Sequence, residues 1–184
     1  AEGQGWEPYA GLGDKAAASL KAFVEQSPLH HKVADRPFAQ VAVPDRLPVP
    51  EGAEQATQAA FGRILLDLAK SGHPLADHII TTTPDVTVST NLGAWVNQRG
   101  LFRRQDMADV FAKAKIPSAQ KWAAAPAGQH VELGIAEHNL FLALTAMGLS
   151  APLFGTRLMP IGTIYDPFIA RGLDALNYGC YQDA

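Results

Sequence analysis

"GQHVELGIAEHNLFLALTAMGLS", residues 128–150, decides how the rest of the chain is read. From Leu140 to Leu149 nothing is more polar than Thr145, yet Glu137 and His138 stand at the head of the run. The pattern predicts a helix from about Glu137 to Met147, with Gly148 near its end; a helix apolar all round should be covered on every side. It is too short to cross a bilayer, which takes about 20 residues. The acid at its head has two readings. In a first helical turn a carboxylate favours the positive end of the macrodipole, an ordinary structural role. Among apolar groups a carboxylate also holds its proton more tightly and can share it with a ligand.

Around this helix the chain alternates. "GDKAAASLKAFVEQ" predicts a helix capped by Asp14, and the stretch after it, "SPLHHKVADRPFAQVAVPDRLPVPEG", has five prolines and should run extended over a surface. A second helix is expected from about Glu54 to Lys70, with Ala56, Ala60, Phe61, Ile64, Leu65 and Leu68 on one stripe and Gly72 as its stop. "HIITTTPDVTVSTN" reads as a buried strand, Ile79 to Thr82, opening into a polar loop. Between 93 and 130 the pattern is weak: a short amphipathic segment around Met107 to Lys115, then the loop-like "IPSAQKWAAAPAGQ". "PLFGTRLMPIGTIYDPFIARGLDALNY" supplies one or two strands and a helix opened by Asp166 as cap and Pro167 in the first turn, its core face made by Phe168, Ile169, Leu173 and Leu176. Strands alternating with helices give an α/β fold, a mostly parallel sheet flanked by helices. Residues 1–52 are expected to be a connector and 53–184 a domain incomplete at its C-terminus, since an α/β unit ending after a helix would next need a strand.

The bulk numbers agree with a buried core: 47% of the 184 residues are hydrophobic and 18% charged. Fifteen basic and eighteen acidic residues leave a net charge of −3 without a basic run, which speaks against nucleic acid or a membrane surface as partner. One cysteine, Cys180, cannot form an internal disulfide and suits a reducing compartment. The first fifteen residues lack the basic and apolar regions of a signal peptide. A cytoplasmic chain is expected.

Three segments together carry a resemblance. "ELGIAEHNLFLALTAMGLS" resembles the stretch bearing the activating glutamate in the transketolase superfamily of thiamin diphosphate enzymes, with Gly134, Ile135, Ala136, Glu137 and His138 in the matching places. "TIYDPFIARGLDAL" looks like the aromatic segment over the aminopyrimidine ring, with Tyr165 and Phe168 at its aromatic positions and Arg171 where some members have an active-site arginine. "PDVTVSTNLGAW" is similar to a loop in which an Asp is followed four residues later by a Ser, here Asp85 and Ser89. The resemblance covers roughly residues 54–178 and is to the pyrimidine-binding domain. It implies that Glu137 shares a proton with N1′ of the cofactor pyrimidine and so favours the imino form of the 4′-amino group, the base that activates the thiazolium. Tyr165, Phe168 and Asp85 would contact the cofactor; Arg171 and Ser89 would meet the substrate. No metal ligand is expected in this chain: it has no Gly-Asp-Gly sequence, so Mg²⁺ and the diphosphate fall to a diphosphate-binding domain in another segment or chain. Sites of this superfamily lie between subunits, which implies a homodimer or higher.

The plainer readings stand beside these. Tyr165 and Phe168 can be core aromatics, Arg171 a solvated helix arginine, Asp85 and Ser89 turn residues. His30 and His31 read as surface residues, and His138 points elsewhere on its helix. Gln58 falls near the place of a transketolase sugar-phosphate arginine, with Arg63 not far off, which weakens a sugar-phosphate reading. "WVNQRGLF", "KIPSAQKW" and the proline-rich connector look like the single-chain E1 components of 2-oxoacid dehydrogenases: decarboxylation of a 2-oxo acid, pyruvate first among them, with a lipoyl acyltransferase as partner if it is a true E1. The alternatives are transketolase or deoxyxylulose-phosphate synthase-like ketol or acyl transfer, favoured by the set Tyr165, Phe168 and Arg171, and a noncatalytic dimerisation or regulatory module.

Overall fold

The computed structural model describes residues 8–27, 37–52, 54–105, 108, 110–117 and 121–184. His30, His31 and Met107 lie outside them. Five short strands, β1 (Ile79–Thr83), β2 (Leu101–Phe102), β3 (Ala124–Ala125), β4 (His130–Glu132) and β5 (Met159–Gly162), form one sheet in the order β3-β2-β4-β1-β5. Every pairing among the described strands is parallel. The expected α/β architecture is therefore the observed one. Because parallel strands need crossovers, helices occupy both faces.

One face is covered by α2 (Thr57–Lys70), α3 (Leu75–His78) and α4 (Gly93–Arg99). Leu65, Leu68, Ala76, Ile79, Trp95 and Val96 are at the centre of that core, and Ile161 of β5 packs against it. The neighbouring Gly162 points the other way, toward Leu140 and Leu144 of α6 (Glu137–Gly148), as alternation along a strand requires. On this second face α6 packs against β5, against a 3-10 helix over Asp166–Gly172, and against α8 (Leu173–Tyr181).

Several expectations need correction. Asp14 is the first residue of α1 (Asp14–Gln26), with Gly13 at the cap position and no side-chain cap bond; its acid is a first-turn charge instead. Asp166 likewise stands inside its helix, with Tyr165 at the cap position. That segment opens as a 3-10 helix, whose three residues per turn shift the phase of the α-helix after it. Ile169 and Leu173 are consequently exposed, and the buried face is Gly172, Ala175 and Gly179, small residues that let α8 approach α6. Of the stretch expected to give one or two strands, Met159–Gly162 forms one, β5, while Pro152 and Phe154 belong to a short helix, α7 (Ser150–Phe154). The weakly patterned region contributes α5 (Val110–Lys113) and two strands of two residues each, β2 and, at the edge of the sheet, β3. Of the proline-rich stretch, 37–52 has no regular structure, yet Val41 packs on the main core. Nor is α6 covered on every side: Leu140 and Phe141 are buried against the sheet and the 3-10 helix, whereas Leu142 is 49% exposed. No helix among the described residues is long and apolar enough to cross a membrane.

Candidate functional site

The three segments singled out in the sequence leave the sheet at the same edge. The loop 84–92 follows β1, the turn 133–136 follows β4, and residues 163–165 follow β5. These strands are adjacent, in the order β4-β1-β5, and parallel, so their carboxyl ends meet. Crevices at the carboxyl ends of parallel strands are where open α/β sheets bind ligands.

A cavity of about 230 Å³ lies there, lined by Pro84, Asp85, Val86, Ile135, Glu137, Ile164, Tyr165 and Phe168. The four expected cofactor contacts, Glu137, Asp85, Tyr165 and Phe168, thus share one wall set. Gly134 makes the turn into α6 with φ +68°, a left-handed conformation that glycine adopts without strain. No atom stands within 4 Å of where its Cβ would be, so conformation rather than crowding asks for glycine. The turn delivers Glu137 to the first turn of α6 with 8% of its surface exposed. The rings of Tyr165 and Phe168 stand 6.2 Å apart at 46°.

Arg171 comes to the same place by a different route from the one expected. Its Nη1 donates to Glu137 Oε1 at 2.6 Å, and its guanidinium lies 4.1 Å from the centre of the Phe168 ring. Its side chain is 54% exposed, so it reaches Glu137 from the solvent side without lining the cavity. Ser89 is set behind Tyr165: its hydroxyl accepts from Tyr165 Oη at 2.6 Å and donates to the Val86 carbonyl at 3.1 Å. It ties the loop to the aromatic segment and does not line the cavity. The side-chain amide of Gln58 donates to the Ser89 carbonyl. Arg63 is away from the site, paired with Asp67 at 3.0 Å on α2. His138 is exposed and does not line the cavity.

Beneath the loop lies a polar cluster that sequence reasoning missed. His130 is fully buried, its Nδ1 2.8 Å from Thr81 Oγ1 and its Nε2 2.9 Å from Thr87 Oγ1. Glu132 Oε2 accepts from Thr87 at 2.5 Å, and Oε1 accepts from the Asp85 backbone N–H at 2.7 Å. Thr83 Oγ1 adds contacts to Thr87 and Glu132. Burial pushes the His130 imidazole below its ordinary value, and the attraction of Glu132 does not restore it. Burial pushes the Glu132 carboxyl up; hydrogen bonds from Thr87, the Asp85 N–H and Thr83, together with His130, outweigh it and hold the group below its ordinary value. The signal in the sequence was faint. His130 and Glu132 alternate on one strand face, but their threonine partners are set by the register Thr81↔His130 and Thr83↔Glu132.

A larger hollow of about 770 Å³ lies elsewhere, lined mainly by apolar side chains such as Phe38, Val41, Leu144 and Met159. Among the described residues no group of three or more His, Cys, Asp or Glu side chains is placed to hold a metal ion. Compared with known proteins, the chain matches no family model and no curated protein.

Proposed function

We propose that this chain is the pyrimidine-binding part of a thiamin diphosphate enzyme that decarboxylates a 2-oxo acid, with pyruvate the first candidate, in the manner of an E1 component. The observation that carries the reading is the buried Glu137 carboxylate in a cavity walled by Tyr165, Phe168 and aliphatic side chains. The residues suit an aminopyrimidine: one acid for a ring nitrogen, aromatic faces for the ring, and Ile135, Ile164 and Val86 as apolar wall. Bound there, the cofactor would supply the nucleophilic carbon and the electron sink that decarboxylation of a 2-oxo acid requires.

The protein's own part is to hold and to hand over a proton. Glu137, hydrogen-bonded to the ring nitrogen, shares a proton with it; the low exposure of the carboxylate strengthens that bond relative to water. Arg171 now occupies Oε1 and yields it to the ligand, keeping its place over Phe168. A guanidinium so seated beside Glu137 and Phe168, and half exposed, would meet the carboxylate of the oxo acid. Asp85 and the rings close the remaining sides. The diphosphate and Mg²⁺ belong to another segment or chain, and a homodimer is part of the proposal; a lipoyl acyltransferase is the acceptor if the enzyme is a true E1.

The test is pyruvate-dependent reduction of an artificial electron acceptor by the protein with every co-purifying chain, with thiamin diphosphate and Mg²⁺ added. Activity that requires the cofactor and vanishes in Glu137→Gln supports the reading. Activity toward ketose phosphates alone transfers it to the transketolase-like alternative. Turnover unchanged in Glu137→Gln refutes the role of the acid, and no turnover of either kind leaves the noncatalytic module.

A further inference from the structure

We propose that Glu132 is a positioning residue for the cavity wall at Pro84–Val86, working through a one-directional chain of hydrogen bonds that begins at Thr81 and ends on its carboxylate. The proposal rests on the ligand reading of the Glu137 cavity and adds to it a residue outside that cavity.

Proton accounting fixes the direction. A hydroxyl has one proton, and a carboxylate can only accept. Thr87 gives its proton to Glu132 Oε2, the shortest of its contacts at 2.5 Å. Its oxygen must then accept from His130 Nε2, 2.9 Å away, so His130 carries its proton on Nε2. Nδ1 is left as an acceptor, and Thr81 donates to it at 2.8 Å in preference to the Gln129 carbonyl at 3.4 Å. Every member of the buried cluster is satisfied in this arrangement, which keeps the shortest contact to Glu132 and the shorter of the two Thr81 contacts, with Thr83 adding its own proton at 3.2 Å. The other carboxylate oxygen is thereby reserved for the Asp85 N–H at 2.7 Å.

That last bond matters because of what it holds. Asp85 has φ +63°, a left-handed conformation that is strained for a residue other than glycine. Its N–H is turned down to Glu132, while Pro84, Asp85 and Val86 present the other side of the turn to the cavity. Without an acceptor below, the Asp85 N–H loses the bond that holds it in this conformation, and the turn is left to the bonds on the Val86 carbonyl. The cavity wall facing Glu137 would shift with it.

Two variants separate positioning from mere stability. In Glu132→Gln the amide oxygen must take the Asp85 N–H, because the NH₂ group there would set donor against donor. The NH₂ then faces Thr87, whose proton turns to His130 Nε2 and drives the imidazole proton to Nδ1. The turn survives. In Glu132→Ala it does not. Imidazole ¹⁵N shifts should show His130 protonated on Nε2 in the wild type and on Nδ1 in Glu132→Gln. Amide exchange at Asp85 should quicken at least tenfold in Glu132→Ala and stay near wild type in Glu132→Gln. Thiamin diphosphate binding with Mg²⁺, measured on the full protein well below its melting temperature, should weaken at least tenfold in Glu132→Ala only. A His130 tautomer unchanged in Glu132→Gln, or wild-type cofactor affinity in a folded Glu132→Ala protein, overturns the proposal. If Glu132→Ala does not fold, the tautomer in Glu132→Gln decides. Wild-type protein that takes up no thiamin diphosphate refutes the reading of Glu137 instead, and the positioning role then stands or falls on the Asp85 exchange.

Discussion

Replacing Gly172 by alanine tests how α6 is held against the segment that carries Phe168 and Arg171. Gly172 is buried where the 3-10 helix passes into α8, with φ −123°, a conformation open to any residue. Any cost must therefore come from contact. A Cβ there would fall 2.0 Å from Phe141 Cδ2 and 2.3 Å from Cε2, where carbon atoms normally rest about 3.5–4.0 Å apart. The ring would have to retreat by about 1.5 Å, and Phe141 is itself buried on α6, one turn beyond Glu137. Overpacking of this kind costs about 1–3 kcal/mol. For a chain of this size, 2 kcal/mol lowers the melting temperature by roughly 4–8 °C. The assay is urea unfolding of the wild type, Gly172→Ala, Phe141→Leu and the double variant. A smaller side chain at 141 should absorb the added methyl, so the double variant should be more stable than the two single losses sum to, by about 0.5–3 kcal/mol. Gly172→Ala as stable as the wild type, or strictly additive losses, would show that the contact does not hold α6 in place.

Stability should fall with acid in two stages. His130 titrates below its ordinary value of 6.5 when folded, so the unfolded chain takes up that proton first and stability is lost as pH falls below about 6.5. Glu132 is held below its ordinary 4.5, so its contribution is present above that value and is lost as pH falls through the folded-state value. A urea midpoint constant from pH 7 to 5 would contradict the first stage. Leu65→Ala, in the core shared by α2 and α4, should cost about 2–5 kcal/mol in the same unfolding assay, and a loss under 1 kcal/mol would mean that the core is not packed as described. Arg171→Gln should leave unfolding within about 1 kcal/mol of wild type, because the arginine is half exposed; a larger loss would show that the Glu137 pair is a structural necessity.

The sequence makes legible whatever has a period or a word. The stripe on α2 and the apolar run of α6 mark their helices within a few residues, and Ile79–Thr82 differs from β1 only by Thr83. Two-residue strands such as β2 and β3 have no period to read, and they exist because β4 offers β2 a partner and β2 in turn offers one to β3. The face of α8 is misplaced by a 3.6-residue count because a 3-10 turn at Asp166–Gly172 changes the phase that the count assumes. At the site, Glu137, Asp85, Tyr165 and Phe168 are found through local words, and parallel strands bring those words together. The Arg171–Glu137 pair and the Glu132 cluster join residues 34 and 43–49 positions apart, a relation set by crossovers and register.

The most direct measurement is calorimetric titration of thiamin diphosphate, with Mg²⁺, into the full protein and into its Glu137→Gln variant. Glutamine keeps the shape of the side chain and removes its charge; a hydrogen bond to a charged group contributes about 1.5–3 kcal/mol. The account predicts saturable binding by the wild type and affinity about 10- to 150-fold weaker in the variant, with unfolding little changed. Equal affinity in the two proteins would contradict the role given to Glu137, and a wild type that takes up no cofactor would contradict the function itself.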